Sequence, residues 1–299
     1  MDSFKKILDE RVKEVNSIIN KYLPKEEGYQ VKVIEAMNYS VMAGGKRLRP
    51  LFMMEAYKMF AKDNKNVDAL ERFMAAIEMI HSYSLVHDDL PDMDNDEFRR
   101  GRKTTHVVYG PAMAILAGDG LLGYAYEVAS YGFNDNNDYI GVANALKVLT
   151  RKPGLYGMLG GQAVDVENDK NNKPLDKDML DFVYRLKTSA LIEASLCIGA
   201  ILGGAKEEEV KELEKAGCLI GLAFQIQDDI LDVTGDATVI GKPVGSDDKN
   251  NKTTYVTLYG VEKAKKYVEE MSLEAMNIIR KYNNEFLLEL VKELITREK

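Results

Sequence analysis

Ala216-Gly217-Cys218-Leu219-Ile220-Gly221-Leu222-Ala223-Phe224-Gln225-Ile226-Gln227-Asp228-Asp229-Ile230-Leu231-Asp232 is the stretch that decides the fold. From Ala216 to Gln227 it is apolar on nearly every face of a helix, so it reads as a central helix wrapped by others. Residues 111–117 have the same character and predict a second central helix. Around them the pattern is amphipathic. Residues 3–22 repeat apolar side chains at Phe4, Ile7, Leu8, Val12, Val15, Ile18 and Ile19, after an Asp/Ser cap candidate. Similar spacing predicts helices over 31–42, 50–61, 67–86, 139–149, 177–202, 206–232, 261–282 and 284–297, with another over 111–130. Strand alternation is nearly absent, and 253–258 is too short and isolated to build a sheet. The breaks are short polar loops, such as 134–138 and 168–174, and none has the character of a domain linker. The expected class is all-α: a single large antiparallel helical bundle around a central cavity.

Composition narrows the function. The chain has 299 residues, 45% hydrophobic and 29% charged, enough for a sizeable core, and its 7 prolines leave long uninterrupted segments. A net charge of -8 argues against a nucleic-acid-binding face and against a polybasic membrane anchor. It does not argue against an anionic substrate, because carboxylates that hold divalent metal can coexist with a few well-placed cations. Cys197 and Cys218 lie in apolar helical surroundings without redox or zinc spacing, and read as core residues in a reducing compartment. The N-terminus has no signal-peptide core, and no uncharged run approaches the roughly 18 residues of a membrane span, so a cytoplasmic location is expected.

Two segments share one form. Leu85-Val86-His87-Asp88-Asp89-Leu90-Pro91-Asp92-Met93-Asp94 and Ala223 to Asp232 each place an adjacent Asp pair at the end of a strongly apolar helix, with a further Asp beyond. Asp228 and Asp232 share a helix face by their spacing, as would Asp88 and Asp92, while Asp94 lies past Pro91. Carboxylates so placed repel one another unless a cation sits between them. A single such cluster is as readily a solvated helix end. Two, each emerging from an apolar helix, fit hard-metal sites facing each other across a cavity, since Mg²⁺ favours a few carboxylates plus phosphate oxygens. Gly44-Gly45-Lys46-Arg47-Leu48-Arg49-Pro50 and Arg99-Arg100-Gly101-Arg102 supply the cations. Alone each would be a solvated loop; beside the aspartates they form a coherent diphosphate site.

Other signals are set aside. Gly118-Asp119-Gly120-Leu121-Leu122-Gly123 satisfies G-x-G-x-x-G, with Asp138 at a suitable distance for a ribose contact, but no parallel sheet is expected to host it. These glycines read as close helix packing. His81 and His87 cannot share a helix face, and neither a zinc-protease motif nor a P-loop occurs.

Taken together, Asp88 to Asp94 and Asp228 to Asp232 resemble the two aspartate-rich motifs of the trans-isoprenyl diphosphate synthases, most like their bacterial farnesyl-forming members. The resemblance extends over nearly the whole chain, through Gly44 to Pro50, Arg99 to Arg102, Gly118 to Leu122, Lys187-Thr188 and Lys252 to Tyr255. It departs at Asp92, where the motif usually has a small or neutral residue. The resemblance implies one polyprenyl synthetase domain over residues 1–299, the isoprenoid synthase fold and a homodimer. It implies a Mg²⁺-dependent prenyltransferase that condenses isopentenyl diphosphate with dimethylallyl or geranyl diphosphate, with about three Mg²⁺ ions once substrate is bound. Isopentenyl diphosphate would be held by Lys46, Arg49, His81 and Arg100. The allylic diphosphate would be held through Mg²⁺ on Asp88, Asp94 and Asp228, with Asp89, Asp229 and Asp232 completing the motifs. Arg99, Lys187, Thr188, Gln225, Lys242 and Lys252 would contact it directly. A departing diphosphate stabilised this way needs no protein nucleophile.

Chain length is then a steric question. A tail running back along the helix before Asp88 meets Tyr83 and Ser84, and the phenol should stop growth at the farnesyl stage. The alternatives are a geranyl or geranylgeranyl synthase, or a non-catalytic helical subunit that binds prenyl diphosphate. A terpene cyclase would have no use for Lys46, Arg49 and Arg100.

Overall fold

The computed structural model describes residues 2–63, 65–134, 138–171, 175–234 and 253–296. They are overwhelmingly α-helical, and their one sheet is a two-residue ribbon, so the all-α class holds. The chain divides into two compact units, Met1–Leu149 with Ile201–Gly204, and Thr150–Ala200 with Ala205–Lys299.

In the first unit, α1 (Asp2–Lys21), α2 (Val31–Val41) and α3 (Leu48–Phe60) precede α4 (Val67–Asp88). Helix α4 is the centre, with Phe73, Met74, Ala75, Ala76, Ile77, Met79 and Ile80 all buried. A helix apolar on every side is stable only when sheathed. Its one interior charge, Glu78, receives Arg47 Nη1 at 2.7 Å, while Arg47 also donates to Asn16 Oδ1 at 2.9 Å and to the Val41 carbonyl at 2.7 Å. With its guanidinium satisfied this way, Arg47 serves the fold. The ribbon β1 (Phe98–Arg99) and β2 (Arg102–Lys103) follows, then α5 (Thr105–Tyr109), α6 (Pro111–Ser130), a 3₁₀ turn (Tyr131–Phe133) and α7 (Tyr139–Arg151).

Helix α6 corrects one expectation. Its Ala114, Ala117 and Leu121 are buried, but Ile115 and Leu116 are 45% and 55% exposed, so 111–117 is not enclosed on all sides. The glycine motif behaves as packing at two of its three positions. A Cβ on Gly118 would lie 2.1 Å from His87 Nε2, and one on Gly120 would lie 2.9 Å from Met37 Sδ. Gly123 meets nothing within 4 Å. Asp138 caps Gly141 N–H at 3.0 Å, a helix-start role.

The second unit holds α8 (Met158–Asn171), α9 (Lys177–Val183), a π-helical turn (Tyr184–Ser189), α10 (Ala190–Gly203), α11 (Glu207–Thr234), α12 (Tyr255–Tyr259), α13 (Val261–Arg280) and α14 (Glu285–Ile295). The helical stretch Lys177–Gly203 is long and apolar enough to cross a membrane by composition, yet 72% of its most apolar window is buried. Its apolarity is that of a core helix. Helix α8 was not expected: Gly160-Gly161 and a polar second half hide its periodicity. Residues 253–258 form no strand, because Thr254 and Thr257 close a capping box that starts α12. Cys197 and Cys218 are free thiols, and burial pushes Cys218 up to about 12, so neither is poised to react.

Lys152 bridges Glu193, which is 3% exposed, and Glu214 at 2.6 Å. Burial alone would lower this ammonium, but the two carboxylates hold it above its ordinary value. Lys152→Met strands Glu193 in the interior and should cost about 3 kcal/mol, seen as a lower denaturation midpoint. Adding Glu193→Gln should recover part of that loss; an unchanged midpoint in Lys152→Met would show the bridge to be idle.

Candidate active site

Asp88-Asp89 lies at the carboxyl end of α4, where the helix dipole disfavours negative charge, whereas Asp228-Asp229 lies inside α11, more than a turn before Thr234. Within each pair the two members have different surroundings. Asp89 is 4% exposed and its Oδ1 accepts from Arg99 Nε at 2.7 Å and from Nη2 at 2.6 Å. Burial pushes its carboxyl upward, against the pull of Arg99. Asp229 is 3% exposed and accepts from the Tyr184 hydroxyl at 2.7 Å and from Tyr255 N–H at 3.3 Å. Asp88, Asp228 and Asp232 are half-buried, and Asp94 is exposed. The second member of each pair is thus built into the fold, and the first is less enclosed.

The Asp94 N–H donates to the Asp88 carbonyl at 2.9 Å, folding the chain back past Pro91 so that the two residues adjoin. Asp92 is exposed at the tip of this turn. Among the described residues no group of three or more His, Cys, Asp or Glu side chains forms a ready-made metal cage. That donor set fits Mg²⁺, which takes one or two carboxylates and completes its shell with water and phosphate oxygens.

The cations of the first unit cluster. Arg99 and Arg100 sit on the ribbon, whose register pairs Arg99 with Arg102 and leaves Arg100-Gly101 as a two-residue loop with φ of 54 and 74. That is the doubly left-handed turn a tight hairpin needs, adopted here by an arginine at a cost of about 1 kcal/mol. Arg100 Nη1 donates to the Gly44 carbonyl, and a Cβ on Gly45 would sit 2.6 Å from the Arg100 guanidinium carbon. Only glycine backbone lets the guanidinium lie there. Arg49 Nε is buried with no hydrogen-bond partner, and burial, with Arg100 alongside, lowers its guanidinium to about 10. A buried, unpaired guanidinium N–H among like charges is a site awaiting an anion. Lys46 is exposed nearby in sequence.

His81 is held well below its ordinary 6.5, first by burial and then by Arg49, Arg100, Arg99 and Arg47. The ring therefore stays neutral in the folded chain where an unfolded chain would protonate it. Below about pH 6.5 the unfolded state binds the extra proton, so stability falls as pH falls, by at most about 1.4 kcal/mol per pH unit, and is unaffected above. His81→Gln should flatten the fall in denaturation midpoint between about pH 7 and 5. Parallel slopes in the two proteins would refute a neutral His81.

In the second unit a recess of about 110 Å³ gathers Asp165, Lys187, Thr188, Gln225, Asp229, Thr253 and Thr254. Lys187 Nζ donates to Asp165 Oδ2 at 2.5 Å, and Thr188 Oγ1 to Gln225 Oε1 at 2.9 Å. Lys187 and Thr188 lie on the π turn, a helix defect common at functional sites. A Cβ on Gly161 would lie 2.4 Å from the Lys187 backbone nitrogen, and one on Gly160 2.1 Å from the Leu155 carbonyl oxygen, which explains the glycine pair that disguised α8. Asp165 is a site residue that sequence reasoning missed, and Gly160-Gly161 was its available signal. Lys242 and Lys252 lie outside the described residues.

Residues 30–294 match the polyprenyl synthetase family. The chain belongs to it. A farnesyl diphosphate synthase of Geobacillus stearothermophilus is 43% identical over 264 residues, 88% of this chain and 86% of that protein. A chloroplastic geranylgeranyl pyrophosphate synthase of Capsicum annuum is 39% identical over 91% of this chain and 72% of its own length. The crystal structure of a Helicobacter pylori geranyltransferase complexed with magnesium and isoprenyl diphosphate superposes with a TM-score of 0.83 at 31% identity, covering 97% of this chain and 95% of that one. Within the polyprenyl synthetase family, then, the two aspartate motifs of this chain each pair a buried carboxylate with a half-buried one.

Proposed function

We propose that the protein is a farnesyl diphosphate synthase, a Mg²⁺-dependent trans-prenyltransferase joining isopentenyl diphosphate to dimethylallyl and then geranyl diphosphate. Residues 1–299 would form one catalytic domain. The observation that carries this reading is the cation cluster of the first unit: Arg49, with a buried guanidinium N–H that has no partner, beside Arg100 and neutral His81. A non-catalytic subunit or a terpene cyclase would gain nothing from such a second anion site.

Arg49, Arg100, His81 and Lys46 bind isopentenyl diphosphate, fixing its double bond for attack. Lys187, Thr188, Gln225 and Arg99 bind the allylic diphosphate. Asp88 and Asp94 in the first unit and Asp228 in the second are the carboxylates that would hold Mg²⁺, and Asp232 stands ready in support. Bound there, Mg²⁺ supplies Lewis-acid neutralisation of the diphosphate as the allylic carbon–oxygen bond breaks. Apolar side chains around α4 keep water from the allylic cation. The double bond of isopentenyl diphosphate attacks that cation, and the departed diphosphate takes the final proton, so no protein nucleophile is required.

Tyr83 favours farnesyl over geranylgeranyl product: it is 8% exposed on α4, edge-on to His87 with ring centroids 5.6 Å apart. A cytoplasmic homodimer belongs to the same reading. It is supported by apolar exposure in the first unit, with Leu116 55%, Tyr139 59% and Ile140 77% exposed. Incubating purified protein with Mg²⁺, isopentenyl diphosphate and each allylic diphosphate, then sizing the products, tests the proposal. Farnesyl diphosphate is expected; no condensation would sink it, and geranylgeranyl diphosphate would move it to the sister activity.

A further inference from the structure

Tyr184 opens the π turn that also carries Lys187 and Thr188. This turn is tied to α11 at two points one helical turn apart. Thr188 Oγ1 donates to Gln225 at 2.9 Å, and the Tyr184 hydroxyl donates to Asp229 Oδ2 at 2.7 Å. Gln225 Nε2 itself reaches Asp229 Oδ1 at 3.5 Å. Tyr184 and Asp229 are 8% and 3% exposed, so their bond is shielded from water. Around them Leu180, Val183, Ala223, Ile226 and Tyr255 pack as a buried cluster, which leaves Asp229 little freedom to turn. The backbone of Asp229 continues directly from Asp228, and its orientation sets that of its neighbour.

We infer that Tyr184 is a positioning residue for diphosphate binding, its hydroxyl fixing Asp229 and, through it, the aim of Asp228 relative to Lys187 and Thr188. The inference rests on the proposed function and deepens it. Tyr184 touches no reacting atom; its effect is to hold two binding elements, the π turn and the end of α11, in one register.

The test is Tyr184→Phe, which removes only the hydroxyl, compared with Tyr255→Phe. The second variant removes the hydroxyl that donates to Asp181 from the same buried cluster and keeps the backbone N–H on Asp229. Isothermal calorimetry with inorganic diphosphate and Mg²⁺ reads binding without turnover, at a temperature where circular dichroism shows each variant folded. Tyr184→Phe should weaken binding by about tenfold, while Tyr255→Phe should bind like the parent. In steady-state assays the same variant should raise the KM of the allylic substrate and the Mg²⁺ needed for half-maximal rate, with the KM of isopentenyl diphosphate unmoved. If Tyr184 acts through Asp229, the tenfold effect should vanish in an Asp229→Ala background, which has no acceptor for the hydroxyl, measured where circular dichroism shows that variant folded. Parent-like diphosphate binding in Tyr184→Phe, an equal loss in Tyr255→Phe, or full additivity with Asp229→Ala would each overturn the inference. Absence of condensation in the parent protein, with Mg²⁺ and diphosphate still binding, would instead remove the functional reading alone.

Discussion

Asp88→Ala and Asp228→Ala should each lower kcat by roughly 10²–10³-fold or more while leaving the melting temperature close to the parent's, or slightly raised for Asp88→Ala. The activity loss follows from the removal of a carboxylate proposed to hold Mg²⁺. The stability argument comes from position. Both residues are half-buried, and Asp88 stands in the last turn of α4, where a negative charge opposes the helix dipole, while Asp228 lies inside α11. The neighbours that the fold does need, Asp89 and Asp229, are untouched by these changes and keep their partners Arg99 and Tyr184. Asp89→Ala and Asp229→Ala should behave in the opposite way, losing stability first, because each removes the acceptor of a buried bond. Comparing kcat and the melting curve across the four variants decides the matter. A near-normal rate for Asp88→Ala with Mg²⁺ present, or an equal loss of stability from both members of a pair, would refute the division of labour.

Tyr83→Ala should move the main product from farnesyl to geranylgeranyl diphosphate. Tyr83 lies on α4 before Asp88, almost wholly buried, with His87 edge-on to its ring. His87 is itself fixed, its Nε2 3.1 Å from the Ile115 carbonyl and its ring against Gly118. The phenol therefore cannot swing aside to admit a longer tail; removing it opens space that only a longer tail fills. Ser84, whose Oγ donates back to the His81 carbonyl at 2.9 Å, is the smaller of the two side chains before Asp88 and leaves the stop to the phenol. The variant should also lose about 3 kcal/mol of stability, as buried aromatics do on truncation. Chromatography of the dephosphorylated products is the measurement, and an unchanged product length in a folded variant would assign Tyr83 to packing alone.

Most helices were legible because their apolar side chains recur at helical spacing, and the run from Ala216 to Gln227 required a core around it. Helix α8 was not, because Gly161 serves contact with the π turn and Gly160 contact with the Leu155 carbonyl, and neither serves the periodicity of its own helix. The Thr- and Tyr-rich residues 253–258 favour strands by composition, and only the reciprocal cap of Thr254 and Thr257 turns them into α12. Both acidic motifs were readable from spacing. The difference within each pair was not, since it depends on Arg99, Tyr184 and Tyr255, whose relation to the aspartates is set by packing. In the same way Arg47 read as a third cation for substrate, whereas Glu78 on α4 claims it.

The left-handed backbone at Arg100, with φ of 54, has a consequence for recognition. With its guanidinium also held against Gly44 and Gly45, Arg100 is fixed by the fold, so an incoming anion finds its partner preset and little ordering remains to oppose binding. The affinity for isopentenyl diphosphate should then be governed by charge and fade steeply as salt is added, whereas a site assembled from limp side chains would answer more to temperature.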